Sequence, residues 1–280
     1  METKKIKGEA KGLMLDNGVE VTYCERGEQN SEVLITGAFY FHTVMPVVEG
    51  LAKRYHVYGI VMRISGDSDH KNPDGSIHWG NTWGNEIYEF ARKMGIQRFH
   101  YWGKCHGTAP GWWLVKSHPE MLIDFGSFYM APHLKPQNSN VWFDTQHHKG
   151  PWALMSVAMR KKSGLFKKML ELASLGSARK DMDGGALKYA FPETLWDNLE
   201  ECEKDMRKVN VPIYFMFGSE DVLFHDHYDS NMYAKEIVPS CKFKVLEGER
   251  HLMELDNPKR VVSEELEFID EVRSVCLERL

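Results

Sequence analysis

Gly103-Lys104-Cys105-His106-Gly107 sets a thiol between two glycines, after the apolar run RFHYWG (98–103) and before a helical stretch from about His106 to His118. A nucleophile at the tip of a strand–turn–helix needs small neighbours, because the turn is tight and strand and helix pass close to it. Such a turn lifts the side chain clear of the sheet. The helix N-terminus adds N–H groups and a positive dipole end, which favour a thiolate. A thiol used this way needs a base, and the base needs an orienting acid. Asp221 in GSEDVLF and His251 in GERHLMELDNP each follow an apolar run, as Cys105 does. If those runs are parallel strands, all three groups arrive at one edge of the sheet. Glu220, Asp226 and Asp124 compete for the role of acid, although Asp124 stands at the start of its strand, at the opposite end.

The elements that must position these residues are legible as alternating strands and helices. VEVTYCERG (19–27) alternates apolar and polar as a half-buried strand does, and SEVLITG (31–37) is a short apolar run ending at glycine. Val44, Val47, Val48, Leu51 and Ala52 recur at helical spacing within 43–55, and HVYGIVM (56–62) is the next apolar run. This strand–helix–strand unit requires parallel pairing. Residues 65–82 read as a polar, turn-rich loop, and Ile87, Phe90, Ala91 and Met94 mark one face of a helix that stops at Gly95. Further strands are expected at 98–103, 122–130, 212–218 and 242–248, with a helix near 228–237 and a long amphipathic helix after Pro258. Residues 133–206 differ: two helical stretches, 153–175 and 193–209, follow one another without a strand, as an insertion over one end of the sheet would.

Composition excludes several classes of function. Across 280 residues, 35 basic and 40 acidic side chains give a net charge of −5 with no block of like charge, so nucleic acid finds no electrostatic footprint. No window approaches the roughly 18 apolar residues of a membrane span, and METKKIKGEAKG lacks the apolar core of an export signal. Five scattered cysteines suit neither a disulfide framework nor paired metal-ligand motifs, so a reduced cytoplasmic protein is expected. His147-His148 and His225-x-His227 have no carboxylate or cysteine spacing to complete a metal site, and G-x-G-x-x-G is absent, so neither metal nor dinucleotide cofactor is expected.

With these residues in view, the chain resembles the α/β-hydrolase fold superfamily over nearly its whole length. The nucleophile–acid–histidine order is that of the superfamily, and SEVLITGAF resembles the strand whose end normally reads His-Gly-x. The resemblance implies an α/β fold with a mostly parallel central sheet flanked by helices. The core would be 1–132 and 207–280, with an inserted helical cap, or lid, at 133–206. It further implies a backbone oxyanion hole at Ala38 and His106. The chain departs from the pattern where Thr36 replaces the usual histidine and where cysteine replaces the commoner serine, a substitution similar to the elbow of dienelactone hydrolases. Phe39 and Tyr40, which follow Ala38, are candidate pocket residues for a flat or apolar substrate.

The reading is therefore a hydrolase with a Cys105–His251–Asp221 triad, acting on an activated ester, lactone or thioester of a small, largely apolar or aromatic substrate through an acyl-cysteine. An acyltransferase using the same acyl-Cys105, a carbon–carbon bond hydrolase and a ligand-binding protein without turnover are the alternatives. The expected partner is a small-molecule substrate rather than nucleic acid or membrane; a homodimer is allowed and the oligomeric state stays open.

Overall fold

The computed structural model describes residues 10–38, 41–62, 79–132, 195–221, 225–239 and 241–277. Eight strands form one sheet: β1 Lys11–Met14, β2 Glu20–Arg26, β3 Val33–Ala38, β4 His56–Val61, β5 Phe99–Lys104, β6 Leu122–Phe128, β7 Ile213–Gly218 and β8 Cys241–Leu246. Their spatial order is β1-β2-β4-β3-β5-β6-β7-β8. The pairings β1–β2 and β2–β4 are antiparallel, and every pairing from β4 through β8 is parallel. The helices are α1 Phe41–Leu51, α2 Trp79–Lys93, α3 Thr108–Ser117, α4 Leu199–Met206, α5 His225–Ile237, α6 Met253–Asp256 and α7 Pro258–Leu277. This is the α/β-hydrolase fold.

The continuous apolar runs follow from a sheet covered on both faces, where successive side chains enter opposite cores. Ile35, Tyr58, Tyr101, Phe125 and Phe215 join Ile87 and Phe90 of α2, Leu114 of α3 and Ile237 of α5 in one cluster. Their chain neighbours Leu34, Val57, Trp102, Tyr214 and Met216 join Val44, Val47, Val48 and Leu51 of α1 and Phe268, Ile269 and Val272 of α7 in the other. The apolar spacing in 43–55 is thus the buried stripe of α1.

Three details depart from the sequence reading. β1 is a short edge strand whose side chains are largely exposed, so no apolar periodicity marks it. The stretch expected as a loop to residue 82 already belongs to α2 from Trp79, because Trp83 continues the buried stripe of Ile87 and Phe90 back by one turn. The one-turn helix α6 follows His251 directly and is too short to show a period. Most of the stretch expected as a cap, 133–194, lies outside the described residues. Its end is described: Leu195 and Trp196 are buried, and the Lys116 ammonium of α3 donates to the Leu195 carbonyl and lies 5.2 Å from the Trp196 ring centre. No helix among the described residues is long and apolar enough to cross a membrane.

The face under α7 carries an unusual polar group. Glu265 is fully buried over Gly126, where a Cβ would lie 2.5 Å from its Oε2. Asp124, two residues earlier on β6, is also fully buried and accepts from His100 Nδ1 at 2.8 Å. Among the described residues neither Glu265 oxygen has a hydrogen-bond partner, and burial, then the Asp124 charge, pushes its carboxyl well above the ordinary range. A carboxyl whose pKa rises on folding leaves stability intact below its unfolded value near 4.5 and loses it as pH climbs toward the folded value, by about 1.4 kcal/mol per pH unit. Glu265→Gln, which removes this titration, is expected to raise the melting temperature more at pH 8 than at pH 5. Thermal unfolding of both proteins across that range checks it, and an equal or lower value for the variant at pH 8 contradicts it.

Candidate active site

The elbow is built by close backbone approach. A Cβ on Gly103 would lie 2.3 Å from the Gly107 carbonyl oxygen, and one on Gly107 would lie 2.5 Å from that of Gly37. Real Cβ atoms essentially never come so close, so both flanking glycines are required by geometry. Between them Cys105 takes φ 53, in the left-handed region that non-glycine residues visit at a cost of about 1–3 kcal/mol. Residues Cys105–Gly107 form a single 3-10 turn before α3 opens at Thr108, two residues later than the sequence suggests. The turn is pinned on both sides. Thr108 donates its N–H and its hydroxyl, the latter at 2.7 Å, to the Cys105 carbonyl, and the Tyr101 hydroxyl donates to the Gly107 carbonyl at 2.7 Å.

Parallel pairing brings the other groups to the same edge. β7 ends at Gly218 opposite Leu246 of β8, and the loops beyond them are zipped together. Ser219 N–H donates to the Leu246 carbonyl at 3.0 Å, Glu220 N–H to that of Glu249 at 2.9 Å, and Gly248 N–H to the Ser219 hydroxyl at 2.8 Å. A Cβ on Gly218 would meet the Glu249 carbonyl oxygen at 2.2 Å, so glycine is needed here as well. In these paired loops His251 Nδ1 lies 2.9 Å from Asp221 Oδ2, with both side chains buried. An ionised carboxylate can only accept, so Nδ1 carries the proton and Nε2 is the basic nitrogen.

Two of the three competing acids are engaged elsewhere. Glu220 faces Arg250, with Oε2 3.4 Å from its Nε. Asp124 holds His100 beneath α7, as above, and Asp226 belongs to the first turn of α5. Ala38 ends β3 one residue past the Gly37–Gly103 pair, which sets its backbone beside the elbow. Phe39 and Tyr40 lie outside the described residues.

Several neighbours were not legible in advance. The His106 ring, beyond its expected backbone role, places Nδ1 3.2 Å from Cys105 Sγ. Tyr129, just after β6, sets its ring centre 4.6 Å from that of His251 at a tilt of 50° and donates its hydroxyl to the Arg250 carbonyl at 2.5 Å. It too has a positive φ, of 82, so both non-glycine residues with positive φ among the described ones stand at this edge. Lys104 and Glu254 form an ion pair beside the elbow at 2.9 Å. The one sequence signal for Glu254 is its place three residues after His251.

The electrostatics favour neutral resting forms. Burial pushes the Cys105 thiol up to about 12, although the Lys104 charge and the His106 N–H pull it down and Asp221 and Glu254 push it up. Burial also lowers His251, against the raising effect of Asp221. The thiolate expected from a helix N-terminus is outweighed by desolvation. Among the described residues no group of three or more His, Cys, Asp and Glu side chains could hold a metal ion.

No protein-family model and no curated protein matches the sequence. Among solved structures, the chain is similar to a meta-cleavage product hydrolase from Pseudomonas fluorescens IP01 (TM-score 0.72, 15% identity, covering 94% of this chain and 98% of that one). It is similar to a serine hydrolase from the polyaromatic hydrocarbon-degrading bacterium Cycloclasticus zankles (TM-score 0.71, 16% identity, covering 94% and 98%). It is also similar to an epoxide hydrolase from Vigna radiata (TM-score 0.68, 19% identity, covering 94% and 98%). At these identities the likeness establishes the fold.

The glycine geometry makes a stability prediction. Gly103→Ala forces a backbone shift at the elbow and is expected to cost more than about 3 kcal/mol, or to abolish soluble expression. Gly95→Ala, where nothing lies within 4 Å but φ is 72, should cost only about 1 kcal/mol. Denaturant unfolding of the two variants measures the difference; equal losses would show that the elbow relaxes freely.

Proposed function

We propose that the chain is a hydrolase that cleaves an activated acyl bond, an ester, lactone or thioester, through an acyl-Cys105 intermediate. The observation that carries this reading is the His251–Asp221 hydrogen bond of 2.9 Å, in loops that leave the same sheet edge as a cysteine held at φ 53. Such an arrangement supplies a nucleophile, a base and an orienting acid in the roles a triad requires.

In this mechanism His251 Nε2 takes the Cys105 thiol proton as Sγ attacks the carbonyl carbon. The resulting oxyanion faces the backbone N–H groups of His106 and Ala38, a pair of donors worth several kcal/mol of barrier. Asp221 accepts from Nδ1–H and stabilises the imidazolium. Collapse of the intermediate expels the alcohol or thiol, protonated by His251, and leaves the acyl group on Sγ. Water then loses a proton to His251, attacks the thioester and releases the acid, and Cys105 recovers its proton. A thiolate leaves a tetrahedral intermediate more readily than an alkoxide, which disfavours amide substrates.

A second reading is kept by the likeness to a meta-cleavage product hydrolase: carbon–carbon cleavage with the same groups. The substrate panel should therefore contain a vinylogous 1,5-diketone as well as aryl esters, lactones and acyl thioesters.

Intact-protein mass spectrometry after brief incubation with that panel is expected to reveal an acyl adduct on the wild type and none on Cys105→Ala. Asp221→Asn should slow acylation by about three to four orders of magnitude while the fold persists. Because His251 is held below the ordinary imidazole value, its base form persists into acid, and the acid limb of the acylation rate should fall below pH 6.5. An adduct that survives in Cys105→Ala overturns the triad. Turnover of the diketone with no acyl adduct would favour the second reading.

A further inference from the structure

We propose that Lys104 and Glu254 form a charged strap that positions and tunes the Cys105–His251 couple. Lys104 is the last residue of β5 and immediately precedes the nucleophile. Glu254 lies in α6, three residues after the base. Lys104 Nζ stands 2.9 Å from Glu254 Oε1, with the two side chains 12% and 1% exposed. The strap therefore ties the elbow directly to the histidine loop. It runs beside Tyr129, whose ring centre is 5.9 Å from Lys104 Nζ and 4.6 Å from the His251 ring.

A buried ion pair is a poor means of gaining stability, since desolving two charges offsets most of their attraction, and apolar replacements are often neutral or stabilising. Its position suits an electrostatic task instead. The charged and titratable groups that act on Cys105 are Lys104 from β5, His106 from the elbow, Asp221 from the loop after β7 and Glu254 from α6, and Lys104 and Asp221 act also on His251 in the loop after β8. Lys104 brings the positive charge closest along the chain to Sγ, so it favours the thiolate that forms on attack; Glu254 opposes it and keeps the net charge of the strap at zero. Lys104 also disfavours the imidazolium of His251, and Glu254 is itself pushed up by burial and held down by Lys104. Lys104 and Glu254 are positioning residues that act through Cys105 and His251.

The two charges predict opposite effects from their removal, which a merely structural pair would not produce. Alkylation of Cys105 by iodoacetamide at pH 8, located by peptide mass spectrometry, reads the thiolate without any substrate. Lys104→Met should slow it roughly threefold to tenfold, and Glu254→Gln should speed it by a similar factor. The double variant should return to within about twofold of the wild type. Thermal unfolding confirms that each variant is folded. Should either single variant fail to fold, Lys104→Gln and Glu254→Leu carry the same charge changes in different shapes. Single changes in the same direction, or no change, would overturn the proposal. The inference rests on Cys105 being the nucleophile, yet the two can fail separately. Opposite alkylation shifts with no acyl adduct would keep the strap and remove the acyl chemistry; an adduct with equal shifts would do the reverse.

Discussion

The site hangs on one close approach, the return of the chain at Gly107 onto the end of its own strand at Gly103. With 2.3 Å between a notional Gly103 Cβ and the Gly107 carbonyl, the turn admits only hydrogen on the strand side. On the far side Gly107 is pressed against the Gly37 carbonyl of β3, and one turn later Gly111 is pressed against the Phe125 ring of β6. Three glycines thus seat the start of α3 on the three central strands. Cys105 has no freedom to relax into an ordinary conformation without unseating that helix. Its φ of 53 is held by the packing around it, and the thiol is presented at a fixed height above the sheet edge.

The triad we propose requires that Cys105, His251 and Asp221 be fixed to one frame. The frame is the parallel register, which ends β3, β5, β6, β7 and β8 at one edge. The second clamp is the hydrogen-bonded pairing of the loops after β7 and β8, which continues the ladder beyond the strands and sets Asp221 against His251. Tyr129 joins the two clamps: its N–H donates to the Met216 carbonyl of β7, its hydroxyl reaches the carbonyl preceding His251, and its ring lies against the imidazole. Strain at Cys105 and Tyr129 is therefore shared between neighbouring strand ends, where the regular hydrogen bonding of the sheet can sustain it.

Much of this was legible because the physics is local. Glycines flanking Cys105, an apolar strand before it and a helix after it sit within about twenty residues, and burial on both faces marks β3 through β7 as mostly apolar runs. Asp221 and His251 were singled out by their place after expected strands. What escaped was either too short or too distant. β1 and α6 carry too few residues for a period, and the first turn of α2 is hidden among glycines and asparagines. The pairing of Lys104 with Glu254, and of Asp124 with His100 under Glu265, is made across the fold between residues whose types alone suggest solvated surface. The His106 ring at the thiol could have been suspected from adjacency, yet a side chain next along a tight turn more often points away.

The electrostatics of the edge bear on how the nucleophile is made. A thiol pushed up to about 12 and an imidazole held below its usual value do not rest as a thiolate–imidazolium pair. In the acyl-Cys105 mechanism we propose, proton transfer accompanies attack, and the charge leaving sulfur is received by the carbonyl oxygen instead of being stored on Sγ. On that reading the oxyanion donors and the base act in the same step. On the same reading, desolvation disfavours a free thiolate on the partly buried Cys105 at rest, and a substrate carbonyl that reaches the backbone N–H groups offsets it. Lys104 then stands beside the elbow, where a cation favours departure of the thiol proton as Sγ attacks.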